Sequence, residues 1–290
     1  MMISSHLIEE VVVDLLRRAS MTIPSDVLRA LENSIESEVS DVARVQLQTI
    51  LENVKTASAC SIPLCQDTGI PLFFVRGECT PEVMEGIKAG VRRATEEIPL
   101  RPNVVHPITR KNPGNNIGER MPYVHFSPGE EDYFEITVMP KGAGSENMSA
   151  LKMLNPSDGL EGIKAFILET IVGAGGKPCP PVIVGVGIGG SSDIAMTLAK
   201  EALLVSLEEE NPDPDLSALE REIHSALNQT GIGPMGLGGR TTVLGVKIKT
   251  AYCHTASLPV AINLQCWAAR RATARVFEDG TVIYLPGGSQ

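Results

Sequence analysis

The chain has 290 residues and a formal net charge of −10, from 25 Lys and Arg against 35 Asp and Glu. That acidic balance argues against binding driven by neutralising nucleic-acid phosphates, and a bound anion would need a local cluster of basic side chains. Hydrophobic content of 43% and charged content of 21% are ordinary for a globular protein long enough to bury a substantial core.

No run approaches the roughly 18 apolar residues of a membrane span. The N-terminal stretch MMISSHLIEEVVVDLL is acidic and amphipathic, so neither a signal peptide nor a membrane association is expected. The six cysteines, Cys60, Cys65, Cys79, Cys179, Cys253 and Cys266, are too sparse for a disulfide scaffold and include no CxxC pair. A reducing, cytoplasmic setting is expected.

The first sixty residues read as helices. Leu7/Ile8, Val11/Val12 and Leu15/Leu16 recur every four residues, Val27, Leu28, Leu31 and Ile35 follow Pro24-Ser25, and Leu47, Ile50, Leu51 and Val54 form a third stripe. Cys65-Gln66-Asp67-Thr68-Gly69 then places a thiol, an amide and a carboxylate on successive residues ahead of a short strand, Leu72 to Val75. The same pentapeptide is also compatible with a plain Asp-Thr-Gly turn. A helix through Val83, Ile87, Val91 and Ala94 precedes a proline-rich irregular loop over 99–122, of a length that is often functional.

Phe134, Ile136 and Val138 alternate with polar residues as a half-buried strand, and a polar glycine loop, Met139 to Asn147, follows. A helix carries Ile163, Phe166, Ile167 and Ile171. The apolar strand Val182 to Val186 runs into Gly187-Ile188-Gly189-Gly190-Ser191-Ser192-Asp193 and a further helix. That segment does not match G-x-G-x-x-G and lacks the acidic residue of a dinucleotide fold, so a tight turn is preferred for it, with an anion-binding role left open. Residues 208–215 are an acidic connector to a helix with Leu216, Leu219, Ile223 and Leu227. A strand from Val243 to Ile248, a helix containing Cys266 and Trp267, and a last strand from Thr281 to Leu285 complete the chain. The expected class is α+β: an N-terminal helical part over about 1–60, then mixed strands and helices, in one compact unit spanning 1–290.

Cys179 lies between prolines at a strand mouth, which holds its thiol rigidly. Cys266 stands near Arg270 and Arg271, and guanidinium charge favours a thiolate. His254 sits beside Cys253, with Thr255 and Ser257 close by. Three unrelated buried cysteines and a structural histidine would read the same way.

Four stretches together go further. CQDTG at 65–69, PKGAGSENMS at 140–149, CPPVIVGVGIGG at 179–190 and HTASLPVAINLQCWAARR at 254–271 resemble, in order and over nearly the whole chain, the α-subunit of class I iron–sulfur fumarate hydratases, the fumarase and tartrate dehydratase α-subunit family. The resemblance implies a hydro-lyase interconverting (S)-malate and fumarate plus water. In it Cys65, Cys179 and Cys266 hold a [4Fe–4S] cluster whose fourth iron acts as a Lewis acid. Asp67 and His254 handle the proton of the departing hydroxyl, while Gln66, Arg101 and the backbone around Gly142 and Gly144 grip the dicarboxylate; Arg110, in the same loop, competes for the role of Arg101. It also implies a β-subunit that completes the site, in an α2β2 assembly. L-tartrate is the alternative substrate, although the segments 141–147 and 254–259 look fumarase-like. Asn112-Pro113-Gly114 departs from the family's usual Asn-Thr-Gly. A scaffold subunit that lost its cluster, and a nucleotide-dependent dehydrogenase built on GVGIGG, are weaker readings.

Overall fold

The computed structural model describes residues 4–78, 80–129 and 131–285; Cys79 lies outside them. The fold is α+β, and the chain divides into two compact units, Met1–Ser25 with Asn53–Gly142 and Arg270–Gln290, and Asp26–Glu52 with Ala143–Ala269.

In the first unit, α1 (Ser5–Met21) starts where the Ser4 side chain accepts the Leu7 N–H, and it buries Ile8, Val11, Val12, Leu15 and Leu16 on one stripe. Strand β1 (Ile70–Arg76) leads to α4 (Pro81–Glu97), which Thr80 caps and Pro81 opens. A Cβ added at Gly90 of α4 would lie 2.6 Å from Val12, so this glycine lets α1 and α4 pack backbone to backbone. The five-stranded sheet runs β2 (Tyr123–Ser127), β1, β3 (Tyr133–Lys141), β8 (Ala272–Phe277), β9 (Val282–Leu285); the β1–β2 pair is parallel and the others antiparallel. Phe73, Val75, Ile136, Val138, Ala274 and Val276 share one core with the buried faces of α1 and α4.

The second unit holds α2 (Ser25–Ser37) from Asp26 on, the first part of α3 (Asp41–Cys60), and a sheet ordered β4 (Ala150–Leu154), β7 (Leu258–Gln265), β5 (Val182–Gly189), β6 (Val243–Ala251). Val184 and Val186 of β5 and Val260, Ile262 and Leu264 of β7 share a core with α6 (Gly159–Ala174) and α8 (Pro214–Asn228). The opposite face meets α7 (Ser192–Ala202), where Ala195 and Ala199 pack on Ala261. Glu38, 2% exposed, accepts the backbone N–H groups of Val39, Ser40, Arg240 and Thr241, fastening the α2–α3 turn to the loop before β6.

One sequence expectation is corrected. The segment around Cys266 and Trp267 is not helical: residues 258–265 form β7 and 266–271 are irregular. Val260, Ile262 and Leu264 alternate with Ala261, Asn263 and Gln265, so the two-residue period decides against a helix once both faces of the sheet are covered.

Candidate functional site

In the first unit Cys65 and Gln66 are exposed, and they line an open pocket of about 470 Å³ with Pro63, Thr68, Pro99 and Arg101. A thiol, an amide and a guanidinium thus border one space. Gly69 explains how the loop is held. Its φ is +80°, and a Cβ there would stand 2.8 Å from the backbone of Lys141, so a side chain would part the loop from β3.

Asp67 is half-buried at the edge of this loop. Its Oδ1 accepts the Gly69 N–H at 3.0 Å and the Asn103 Nδ2 amide at 3.3 Å, while its main-chain oxygen accepts Arg270 Nη1 at 2.7 Å. Oδ2 faces Gly142, where a Cβ would lie 3.1 Å from it. The structure therefore gathers Cys65, Gln66, Asp67, Arg101 and Gly142 in one unit, and it adds Asn103 and Arg270, which sequence reasoning left without a role at Asp67. Asn103 follows Arg101 by two positions in the loop already singled out, but no pattern in the sequence reports that it reaches back to Asp67. Arg110 has a φ of +59° in the turn from His106 to Lys111 and does not line the Cys65 pocket.

Cys179, Cys266, His254 and Gly144 belong to the second unit. Cys179 has a φ of +55°, a left-handed conformation uncommon for a residue with a side chain. Its N–H bonds to Gly176, its carbonyl accepts the Trp267 N–H at 3.3 Å, and the Pro180 carbonyl accepts the Met235 N–H at 2.7 Å. These bonds set Cys179 beside the peptide that carries Cys266, so two half-buried thiols stand on neighbouring segments. Cys253 is exposed and bonds to the Ser257 carbonyl at 3.2 Å.

His254 is exposed in the turn between β6 and β7. Its Nδ1 accepts the Ala256 N–H at 3.1 Å, so the neutral ring carries its proton on Nε2 and can donate from there. Gly144 lies in the short helix α5 (Ala143–Glu146), where a Cβ would stand 3.4 Å from the Lys177 carbonyl. None of Cys60, Cys65, Cys179, Cys253 and Cys266 is in a disulfide. Among the described residues, no three His, Cys, Asp or Glu side chains within either unit converge tightly enough to share a single metal ion. Within the second unit, Cys179 and Cys266 are soft donors on neighbouring segments.

The GVGIGG segment is accounted for by packing. Cβ atoms at Gly185 and Gly187 would fall 2.1 and 2.0 Å from the carbonyls of Ala199 and Ala195, so these glycines let α7 lie directly on β5. The first turn of α7 already carries a carboxylate, Asp193, whose hydrogen bond from Ser191 holds it below its usual range. A negative charge at that position opposes a second anion there.

A family model described as fumarate hydratase (Fumerase) matches residues 9–275. The chain is 52% identical to the "Putative L(+)-tartrate dehydratase subunit alpha" of Methanocaldococcus jannaschii, over 94% of this chain and 98% of that protein. It is 36% identical to the L(+)-tartrate dehydratase subunit alpha of Escherichia coli strains UTI89 and K12, over 94% of this chain and 91% of those proteins.

Proposed function

The chain belongs to the fumarase family of hydro-lyases, and on that premise we propose that it is the α-subunit of an iron–sulfur enzyme interconverting (S)-malate and fumarate plus water. The observation that carries this reading is the pocket where Cys65, Gln66 and Arg101 line one space, on the loop that also holds Asp67. It offers a soft metal ligand, a planar cation suited to bidentate carboxylate binding and, next in sequence, a carboxylate able to move a proton.

Cys65, Cys179 and Cys266 are the thiolates proposed to hold a [4Fe–4S] cluster, which when bound supplies an iron with an open position as Lewis acid. Gln66, Arg101 and the backbone at Gly142 and Gly144 hold the dicarboxylate. Asp67 and His254 hold and deliver the proton that leaves with the hydroxyl, His254 from Nε2. The partner β-subunit contributes the base for the carbon-bound proton; the relatives' names as "subunit alpha" support such a partner, and the α2β2 stoichiometry is part of the proposal. The sparse cysteine content supports a reducing, cytoplasmic setting. Among the described residues, no helix is long and apolar enough to cross a membrane.

A second substrate reading is L(+)-tartrate, favoured by the names of the relatives at 52% and 36% identity. Malate and fumarate are preferred on the segments Lys141 to Asn147 and His254 to Pro259. The test is anaerobic reconstitution with iron and sulfide, followed by addition of the β-type subunit and assay of malate, fumarate and L(+)-tartrate. Four irons per α-chain and malate–fumarate turnover only with the partner are expected. Tartrate turnover alone would replace the substrate, and failure to bind iron would overturn the reading altogether.

A further inference from the structure

We propose that Asn103 is a positioning residue for Asp67, acting through its side-chain amide on the carboxylate. The proposal rests on the reading of Asp67 as the group that handles the hydroxyl's proton. Asn103 Nδ2 stands 3.3 Å from Asp67 Oδ1 and 3.1 Å from the Gly69 carbonyl, so it spans the loop whose first residues border the Cys65 pocket. With the Gly69 N–H on the same oxygen, one backbone donor and one side-chain donor hold Oδ1, and Oδ2 lies on the Gly142 side.

The amide can do this because it is itself held. The Asn103 N–H donates to Asn116 Oδ1 at 2.7 Å. Asn116, 2% exposed, donates from Nδ2 to the Arg101 carbonyl and to Thr95 Oγ1, both at 3.1 Å. Thr95 lies on α4, so a continuous chain of bonds runs from a helix of the scaffold through Asn116 and Asn103 to the carboxylate. Thr68 Oγ1 accepts the Arg101 N–H at 2.9 Å and closes the loop on the other side. One lock therefore fixes both the proton-handling side chain and the segment bearing the substrate-binding arginine.

The experiment is a double-mutant cycle on the reconstituted α–β enzyme, with iron content measured for every variant. Asn103→Ala is expected to lower kcat roughly tenfold with KM within about twofold and iron unchanged, the cost of one hydrogen bond to a charged group. Asn103→Asp has the same size but replaces the N–H with an acceptor, so it is expected to be at least as slow. In an Asp67→Asn background, Asn103→Ala is expected to cost less than about twofold, because the group it positions no longer works.

A full tenfold loss in that background, an Asn103→Asp enzyme equal to wild type, or an effect confined to KM would each overturn the proposal. Should Asn103→Asp fail to load iron, the alanine cycle alone decides. Wild-type turnover of Asp67→Asn would instead overturn the assigned role of Asp67, and this proposal with it.

Discussion

Gly187→Ala and Gly173→Ala should change stability in opposite directions, although both are Gly-to-Ala changes in the second unit. At Gly187 the new Cβ would lie 2.0 Å from the Ala195 carbonyl, 2.7 Å from the Ala199 nitrogen and 2.9 Å from Leu198 Cβ. Reaching ordinary van der Waals contact requires α7 to lift by more than an ångström, or β5 to bow, and either opens the packing of Ala195 and Ala199 on Ala261. Overpacking of a close-packed interface costs about 1–3 kcal/mol, and because backbone is the obstacle the upper half of that range is expected. At Gly173, near the end of α6, a Cβ would meet nothing within 4 Å, so alanine should add about 0.5 kcal/mol through helix propensity. Urea denaturation followed by circular dichroism reads both. Were the segment a phosphate-binding loop instead of a packing device, Gly187→Ala would leave the midpoint unchanged and abolish binding of a nucleotide. That result would refute the account given for GVGIGG.

Cys65→Ser, Cys179→Ser and Cys266→Ser should each remove the visible absorbance of the reconstituted cluster, while Cys60→Ser and Cys79→Ser retain it; equal loss in all five would sink the three-ligand assignment. Arg101→Ala should raise KM for the dicarboxylate by about 10–100-fold, the range of a charge-assisted hydrogen bond, with Arg110→Ala near wild type; the reverse order in steady-state kinetics would exchange their roles. At Glu38, burial alone would raise the carboxyl, but the amides of Ser40, Arg240, Val39 and Thr241 outweigh it and bring it below its usual value. Ionisation is thus favoured more in the folded chain than in the unfolded one. The resulting stability is present in full above the ordinary carboxylate range and is lost as pH falls through the depressed value. Glu38→Gln should therefore cost about 2 kcal/mol at neutral pH, with the gap closing below about pH 4; a gap independent of pH would remove the charge from the explanation.

Long periodic segments were legible in the sequence. The stripes of Ile8 to Leu16, Val83 to Ala94 and Leu216 to Leu227 became α1, α4 and α8, and the apolar run at Val182 became β5, because side-chain spacing alone fixes which face is buried. The strand from Leu258 to Gln265 is not evident in the sequence, where the helix expected around Cys266 and Trp267 stands instead, because each of its faces meets a different layer. Ala261 packs on α7, while Val260, Ile262 and Leu264 share the core of α6 and α8, so no solvent-facing side advertises the period. The short strands β2 and β4 carried no signal at all. At the candidate site, Cys65, Asp67 and Arg101 stand in local motifs, whereas Asn103, Asn116 and Thr95 act through bonds spanning 36, 13 and 21 residues. Spacing of that kind is set by tertiary closure.

The same closure resolves an apparent conflict between a net charge of −10 and the anionic substrate proposed for the chain. Composition requires a local basic cluster, and no run of basic residues in the sequence supplies one. In the first unit the cations come from three distant points. Arg101 lines the Cys65 pocket, Lys141 is 1% exposed opposite Gly69, and Arg270 is 2% exposed with Nη1 on the Asp67 carbonyl. Arg270 Nη1 donates to the Asp67 main-chain oxygen, so a buried guanidinium stands beside Asp67. A cation kept this way raises the local potential felt by an incoming dicarboxylate, and low exposure weakens its screening by solvent. Arg270→Gln tests that arrangement directly. The variant removes the charge together with the bond to the Asp67 carbonyl, so KM for the dicarboxylate should rise and its dependence on ionic strength should flatten, with iron content unchanged. An unaltered salt dependence would show that Arg270 serves the loop's shape alone.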